Sequence, residues 1–140
     1  MIFTKSTKYA IRAIIFIAER CEAKENCSIR DISGTLEIPF HFLTKILQKL
    51  TEAGILISAK GTHGGVRLNR EPEDILLKEI VHAVDSEYST EECILGFPQC
   101  DEKNPCALHY MWQEPRRYIE RIIGETTLND ILKNNEIHKL

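Results

Sequence analysis

Ser28-Ile-Arg-Asp-Ile-Ser-Gly-Thr-Leu-Glu-Ile-Pro39-Phe-His-Phe-Leu-Thr-Lys-Ile-Leu-Gln-Lys-Leu50, followed closely by Ile55-Leu-Ile-Ser-Ala-Lys60-Gly-Thr-His-Gly-Gly65-Val-Arg-Leu68, decides the fold of this chain. Ser28 and Asp31 have the spacing of a capping box, with Asp in place of Glu or Gln, so a short helix is predicted to about Thr35. Leu36-Glu37-Ile38 reads as a tight turn. Pro39 fits the first turn of the next helix, where its missing N–H costs nothing. That helix runs to about Ala53, with Gly54 a good residue just past its end. Phe42 or Leu43, Ile46, Leu47 and Leu50 form its buried stripe. Two short helices joined by such a turn make a helix-turn-helix. Ile55 to Lys60 and Val66 to Leu68 then read as two strands around a glycine-rich turn, with Arg67 alternating outward. A β-hairpin straight after a helix-turn-helix is a winged helix.

Upstream, a helix is predicted from Thr7 to about Arg20, because Tyr9, Ala10, Ala13, Ile14, Ile17 and Ala18 recur at three- and four-residue steps. Downstream, Pro72-Glu73-Asp74 starts a helix expected to continue to about Asp85. Residues 86–106 read as irregular, and a loop that long in a compact protein is usually functional or disordered. A helix resumes from Ala107 to about Gly124, with Leu108, Trp112, Ile119, Ile122 and Ile123 apolar and Pro115 expected to kink or restart it. Thr126 or Thr127 caps a last short helix. The fold class is mostly α with a small β-hairpin wing. It divides into a winged helix-turn-helix domain (1–85), a cysteine loop (86–106) and a long helix with a short terminal one (107–140).

Of the 140 residues, 43% are hydrophobic, enough for a core, and no run approaches the roughly 18 apolar residues of a membrane span. The first residues lack the pattern of a cleaved signal peptide. Five cysteines are an odd number, and three are clustered, which favours a reducing cytoplasm over a secreted disulfide scaffold. Cys21 and Cys27 flank a polar linker and read as small half-buried residues or free surface thiols. Residues 1–70 carry 11 Lys/Arg and 6 Asp/Glu, a net +5, whereas residues 71–140 carry 7 and 15, a net −8. A basic half joined to an acidic half suits a polyanion-binding module with an appendage.

The second helix of a helix-turn-helix enters the major groove. Its solvent-facing candidates are His41, Thr44, Lys45, Gln48 and Lys49. Thr44 and Gln48 lie one turn apart and suit base edges, while Lys45 and Lys49 suit phosphates. Lys60 and Arg67 on the wing can reach a neighbouring phosphate or the minor groove. The alternative is a winged helix used for protein contacts.

The stretch Cys93-Ile-Leu-Gly-Phe-Pro-Gln-Cys100-Asp-Glu-Lys-Asn-Pro-Cys106-Ala-Leu-His109 gathers three thiols and an imidazole within seventeen residues. Such donors bind iron–sulfur clusters or zinc. Zinc sites favour ligands two to four residues apart, a spacing only Cys106 and His109 meet. A metal-free thiol–disulfide switch and a site that binds nothing are the other readings. An enzyme is excluded: there is no phosphate or dinucleotide fingerprint and no loop with the usual nucleophile geometry. His41, His82 and His138 read as surface or core residues rather than ligands.

Four pieces occur in order: Thr4-Lys5-Ser-Thr-Lys-Tyr9-Ala10-Ile-Arg-Ala13, the helix from Ile38 to Leu50, the wing Lys60-Gly61-Thr-His-Gly64-Gly65, and the cysteine loop before Trp112. Together they resemble the Rrf-two family of bacterial winged-helix regulators, whose members include the IscR and NsrR types. The resemblance implies a cytoplasmic homodimer paired through the long helix, reading a pseudo-palindromic operator in double-stranded DNA. It also implies an iron–sulfur cluster on Cys93, Cys100 and Cys106, one that a preparation made in air tends to lose. In the IscR type the fourth ligand is a histidine three residues after the last cysteine, the position of His109. In the NsrR type it is an aspartate near the start of the first helix, where this chain has Lys8. The resemblance therefore favours [2Fe–2S] over [4Fe–4S]. This chain departs from the pattern by one extra residue between Cys93 and Cys100, by Pro115, and by Thr44 where the IscR type has a glutamate.

Overall fold

The computed structural model describes residues 2–21 and 24–135. In order, the chain forms α1 (Lys5–Arg20), α2 (Ile29–Leu36), α3 (Phe40–Glu52), β1 (Leu56–Ala59), β2 (Gly65–Leu68), a 3₁₀ turn (Pro72–Asp74), α4 (Leu77–Val84), α5 (His109–Glu125) and α6 (Leu128–Asn135). The mostly helical winged-helix architecture expected from the sequence is present. Among the described residues, no helix is long and apolar enough to cross a membrane. His138 lies outside the described residues.

α1 starts two residues earlier than its apolar spacing suggested, because the Thr4 hydroxyl accepts the Thr7 N–H at 3.2 Å and caps it. Its Ala10, Ala13, Ile14 and Ile17 sit at the centre of a core shared by α2, α3, α4, the hairpin and Leu128 of α6. Ser28 occupies the cap position of α2 but makes no side-chain cap hydrogen bond, so the expected capping box is not formed. Instead Cys27, just before it, is held extended in a bridge to Val66. The turn between α2 and α3 is fixed by Glu37 in the left-handed region (φ 54°), with the Ser33 hydroxyl donating to the Ile38 carbonyl at 2.6 Å. Pro39 is extended at the cap of α3 rather than inside its first turn. Leu43, Ile46, Leu47 and Leu50 form the buried stripe, and Phe42 stays exposed, edge-on to Tyr9.

The hairpin pairs antiparallel in the register Leu56–Leu68 to Ala59–Gly65. Cys27 adds a third, one-residue rung: its N–H donates to the Val66 carbonyl at 2.7 Å and its carbonyl accepts the Val66 N–H at 2.9 Å. Cys21 and Cys27, read from sequence as small half-buried residues or free surface thiols, are half-buried but joined as a disulfide with Cα atoms 5.7 Å apart. No local pattern signals this pairing.

The single helix expected from Pro72 to Asp85 is two elements. Ile75 and Leu76 between them are extended because they pair with the start of α6: Leu77 N–H donates to the Thr126 carbonyl and Leu128 N–H to the Ile75 carbonyl, both at 2.8 Å. Residues 85–108 carry turns but no helix or strand, so the stretch 86–106 is irregular as expected and α5 starts two residues later than the expected Ala107. α5 runs unbroken through Pro115 rather than restarting there. Its lower half packs Ile119 and Ile123 onto Leu77 and Val81 of α4, with Phe3 and Tyr88 at the edge. Of its expected apolar residues only Ile123 is buried; Leu108 and Ile122 are exposed. Thr127 and Asp130 cap α6 reciprocally.

Candidate functional site

The cysteine loop closes over the start of α5 through short local turns. Gly96 takes a positive φ (81°) and its N–H returns to the Cys93 carbonyl at 2.8 Å. Asp101 accepts the Lys103 N–H at 2.8 Å, a turn that Asp favours. These turns bring Cys93, Cys100, Cys106 and His109 around one open pocket of about 430 Å³, which Phe97, Pro98 and Pro105 help to line. His109 is 2% exposed and Cys93 is 6% exposed, whereas Cys100 and Cys106 are half-buried.

Within the pocket the His109 Nδ1 lies 3.4 Å from the Cys100 sulfur. Its Nε2 lies 3.4 Å from the Gln113 amide nitrogen, which also donates to Glu102 at 3.1 Å. The Leu95 N–H, aided by the Cys106 thiol and the Phe97 and Gly96 N–H groups, outweighs burial and holds the Cys93 thiol below its usual pKa. Burial, with Cys93 and Cys100 beside it, pushes the Cys106 thiol up. Of these two, Cys93 is thus the thiol more readily presented as thiolate, the form that binds metal. Among the described residues no three Cys, His, Asp or Glu side chains are drawn onto a single metal-ligating point. The four donors share a pocket without converging fully.

Gln113 escaped the sequence reading, although its position one turn after His109 was the available signal. The cysteine loop also touches α5 further along, where the Thr90 hydroxyl donates to Glu120 at 3.0 Å and Glu120 pairs with Arg116 at 3.6 Å.

On the DNA-reading face, His41, Lys45, Gln48 and Lys49 are exposed along α3, and Lys60 is exposed at the hairpin turn. Four candidates have partners within the chain. Thr44 donates to the Phe40 carbonyl at 2.8 Å, and Gln48 to Glu52 at 3.3 Å. Lys49 reaches the Val84 carbonyl at 3.5 Å. Arg67 is half-buried and donates to Asn26 at 3.1 Å, while the Asn26 amide donates to the His63 carbonyl at 3.0 Å. Asn26 therefore braces the wing, a role that a polar linker residue does not announce. Arg30 of α2 lies over the Phe40 ring at the start of α3, 5.1 Å from its centre.

The sequence profile of the Rrf2 family, described as an iron-dependent transcriptional regulator, matches residues 3–134. A relative from Aquifex aeolicus named as an HTH-type transcriptional regulator is 31% identical, over 99% of this chain and 96% of its own. NsrR of Bacillus licheniformis is 30% identical, over 100% and 99%. IscR of Vibrio atlanticus is 29% identical, over 98% and 78%. Two solved structures share the fold: CymR, the global cysteine regulator of B. subtilis (TM-score 0.79, 22% identity, 96% and 98% covered), and T. potens IscR (TM-score 0.73, 23%, 100% and 92%). These relatives are regulators rather than enzymes. With its helix-turn-helix, wing and C-terminal helix in the matching order, the chain belongs to the Rrf2 family of DNA-binding transcriptional regulators.

Proposed function

We propose that this regulator binds a pseudo-palindromic operator as a cytoplasmic homodimer, and that an iron–sulfur cluster held by Cys93, Cys100, Cys106 and His109 sets that binding. The observation that carries the reading is the shared pocket, in which a buried imidazole meets the Cys100 thiol at 3.4 Å. The resemblance to the IscR type, with His109 in the place of the fourth ligand, favours [2Fe–2S] over [4Fe–4S], and Lys8, exposed on α1, offers no carboxylate. The cluster, when bound, supplies a centre that responds to iron supply, oxidants or nitric oxide. The chain's own residues do the rest. Gln113 holds the outer nitrogen of His109, so that Nδ1 faces the thiols. Because His109 opens α5 and Thr90 grips Glu120, the state of the pocket bears on the pose of that helix.

Dimerisation is supported by an apolar seam on α5. Met111, Pro115, Tyr118 and Ile122 alternate four- and three-residue steps, the spacing of a helix–helix seam. Met111 is 76% exposed and Tyr118 is 59% exposed in the single chain. Two copies paired there present two α3 helices to successive major grooves, with His41, Thr44, Lys45, Gln48 and Lys49 facing DNA and Lys60 and Arg67 flanking it.

One observation favours a second reading, a metal-free thiol switch: Cys93, Cys100 and Cys106 line the same pocket. Anaerobic purification, with absorption spectra and iron, sulfide and zinc analysis, separates the two. It is run on the wild type, on His109→Ala and on the Cys93/Cys100/Cys106→Ala triple variant. Near-equal iron and sulfide, lost in the triple variant, with a shifted spectrum in His109→Ala, is the expected result. A colourless protein, with zinc or with no metal, overturns the cluster.

A further inference from the structure

We propose that Cys21 and Cys27 form a second redox site, a dithiol–disulfide pair that sets the order of the wing independently of the cluster pocket. The effect on DNA rests on the reading that the wing touches the operator. Cys21 ends α1, where its N–H donates to the Ile17 carbonyl at 3.2 Å, and it packs against the main core. Cys27 is the residue that pairs with Val66 in β2, through backbone bonds of 2.7 and 2.9 Å. Its neighbour Asn26 holds the His63 carbonyl and the Arg67 side chain. The disulfide therefore ties α1, part of the main core, to three points on the wing: His63 at the turn, Val66 in the strand and Arg67 on its face.

A two-stranded hairpin is marginal alone, and these strands are four residues each. The rung at Cys27 is what extends the sheet. With the disulfide closed, that rung is anchored to α1. With it open, the rung depends on a few hydrogen bonds near solvent, each of small net worth in water. Access is present, because Cys21 is half-buried and lines an open groove of about 660 Å³ together with Lys24, Arg67 and Arg70. A small dithiol reductant can enter it. One of its thiolates attacks a sulfur of the pair, the S–S bond breaks and a mixed disulfide forms. Its second thiol then displaces the protein sulfur. Cys21 and Cys27 leave as two thiols, having gained two electrons and two protons, and the reductant leaves as its own disulfide. A small-molecule disulfide drives the reverse. Beside a chromosome, where thiols are kept reduced, a protein disulfide is characteristically transient and redox-sensing. The oxidised form has the ordered wing and the tighter grip on DNA.

The test uses the full-length protein, purified anaerobically, with Cys21→Ser and Cys27→Ser beside it. Each is poised with glutathione disulfide or with dithiothreitol while the absorption spectrum tracks any cluster. Mass mapping reads the 21–27 linkage, amide exchange reads Val66, and titration reads operator affinity. The oxidised wild type should show the linkage, slower exchange at Val66 and tighter binding on the order of tenfold, within the usual range of coupling between sites. Both variants should match the reduced wild type under either poise, with an unchanged spectrum. Absence of the linkage, equal Val66 exchange in the two poises, or variants that still respond each overturn the proposal. An exchange shift without an affinity change also overturns control of DNA binding. Lys60→Glu then locates the fault: if it too leaves affinity unchanged, the wing reading has failed; if it weakens binding, the tether has.

Discussion

Gly65 of β2 lies so close to the Cys27 carbonyl that no side chain fits between them, and its φ of +138° is one that L-residues rarely adopt. Both facts follow from the bridge that Cys27 makes to Val66. Gly65→Ala should cost about 2–4 kcal/mol of stability through strain and clash together. Denaturant unfolding measures it, and a loss below about 0.5 kcal/mol, the level of an ordinary surface change, would mean that the bridge does not form.

Much of this was legible in the chain. The stripe Leu43, Ile46, Leu47 and Leu50 and the glycine at position 54 are local signals, and the structure realises them where the spacing placed them. Two of the errors share a cause. The helix that breaks at Ile75 and Leu76 does so because Thr126 and Leu128, some fifty residues on, claim its backbone. Cys21 and Cys27 meet because the wing draws Cys27 to Val66. Neither partner can be read from its own neighbourhood. Within the site, the cysteines and His109 stood out by type, but Gln113 and Asn26 act by position, and amide side chains are too common to stand out. Leu108 and Ile122 looked like core because the sequence does not say that α5 is short of partners within one copy.

Lys45 and Lys60 are exposed cations on α3 and the wing. Lys45→Ala and Lys60→Ala should weaken binding about equally for all DNA sequences and lower the salt dependence by about one unit each. Stability should stay within about 0.5 kcal/mol. A titration series across salt concentrations checks both; an unchanged slope in both variants would remove these residues from the interface.

Gln113 touches the nitrogen of His109 that faces away from Cys100. Gln113→Leu should lower the affinity of the pocket for its cluster about 10- to 100-fold, as loss of such supporting partners does elsewhere. Cluster loss timed against a chelator under anaerobic conditions reads this, and an unaltered rate would show that Gln113 does not support the ligand.

Glu79 loses solvation where it packs, but the Leu76 N–H at 2.9 Å and Arg70 at 2.9 Å outweigh that and lower its pKa. A lowered folded pKa gives stability that is present above the ordinary glutamate value of about 4.3 and is lost as pH falls through the folded one. Unfolding curves on the acid side should therefore be flatter in Glu79→Gln than in the wild type. Parallel curves would remove Glu79 from the acid response.

Met111 and Ile122 bracket the exposed seam of α5. A carboxylate at either position would be buried in a paired interface, so Met111→Asp and Ile122→Asp should shift the protein to monomers and weaken operator binding. Sedimentation decides it; dimers in both variants would move the interface elsewhere.

Among the described residues, α5 packs its core-facing side chains onto α4 near its C-terminal end. Ile119 and Ile123 grip α4, while His109, Met111 and the cysteine pocket lie at the far end, beyond Pro115. Mechanically this resembles a cantilever: on the proposed reading, load applied at the tip would reach the rest of the chain through the clamped root and along the loop that joins the pocket to α4. On the proposed reading, whatever stiffens or slackens that root would scale the response, and Ile123, which lies in it, lines neither the cysteine pocket nor the DNA-reading face.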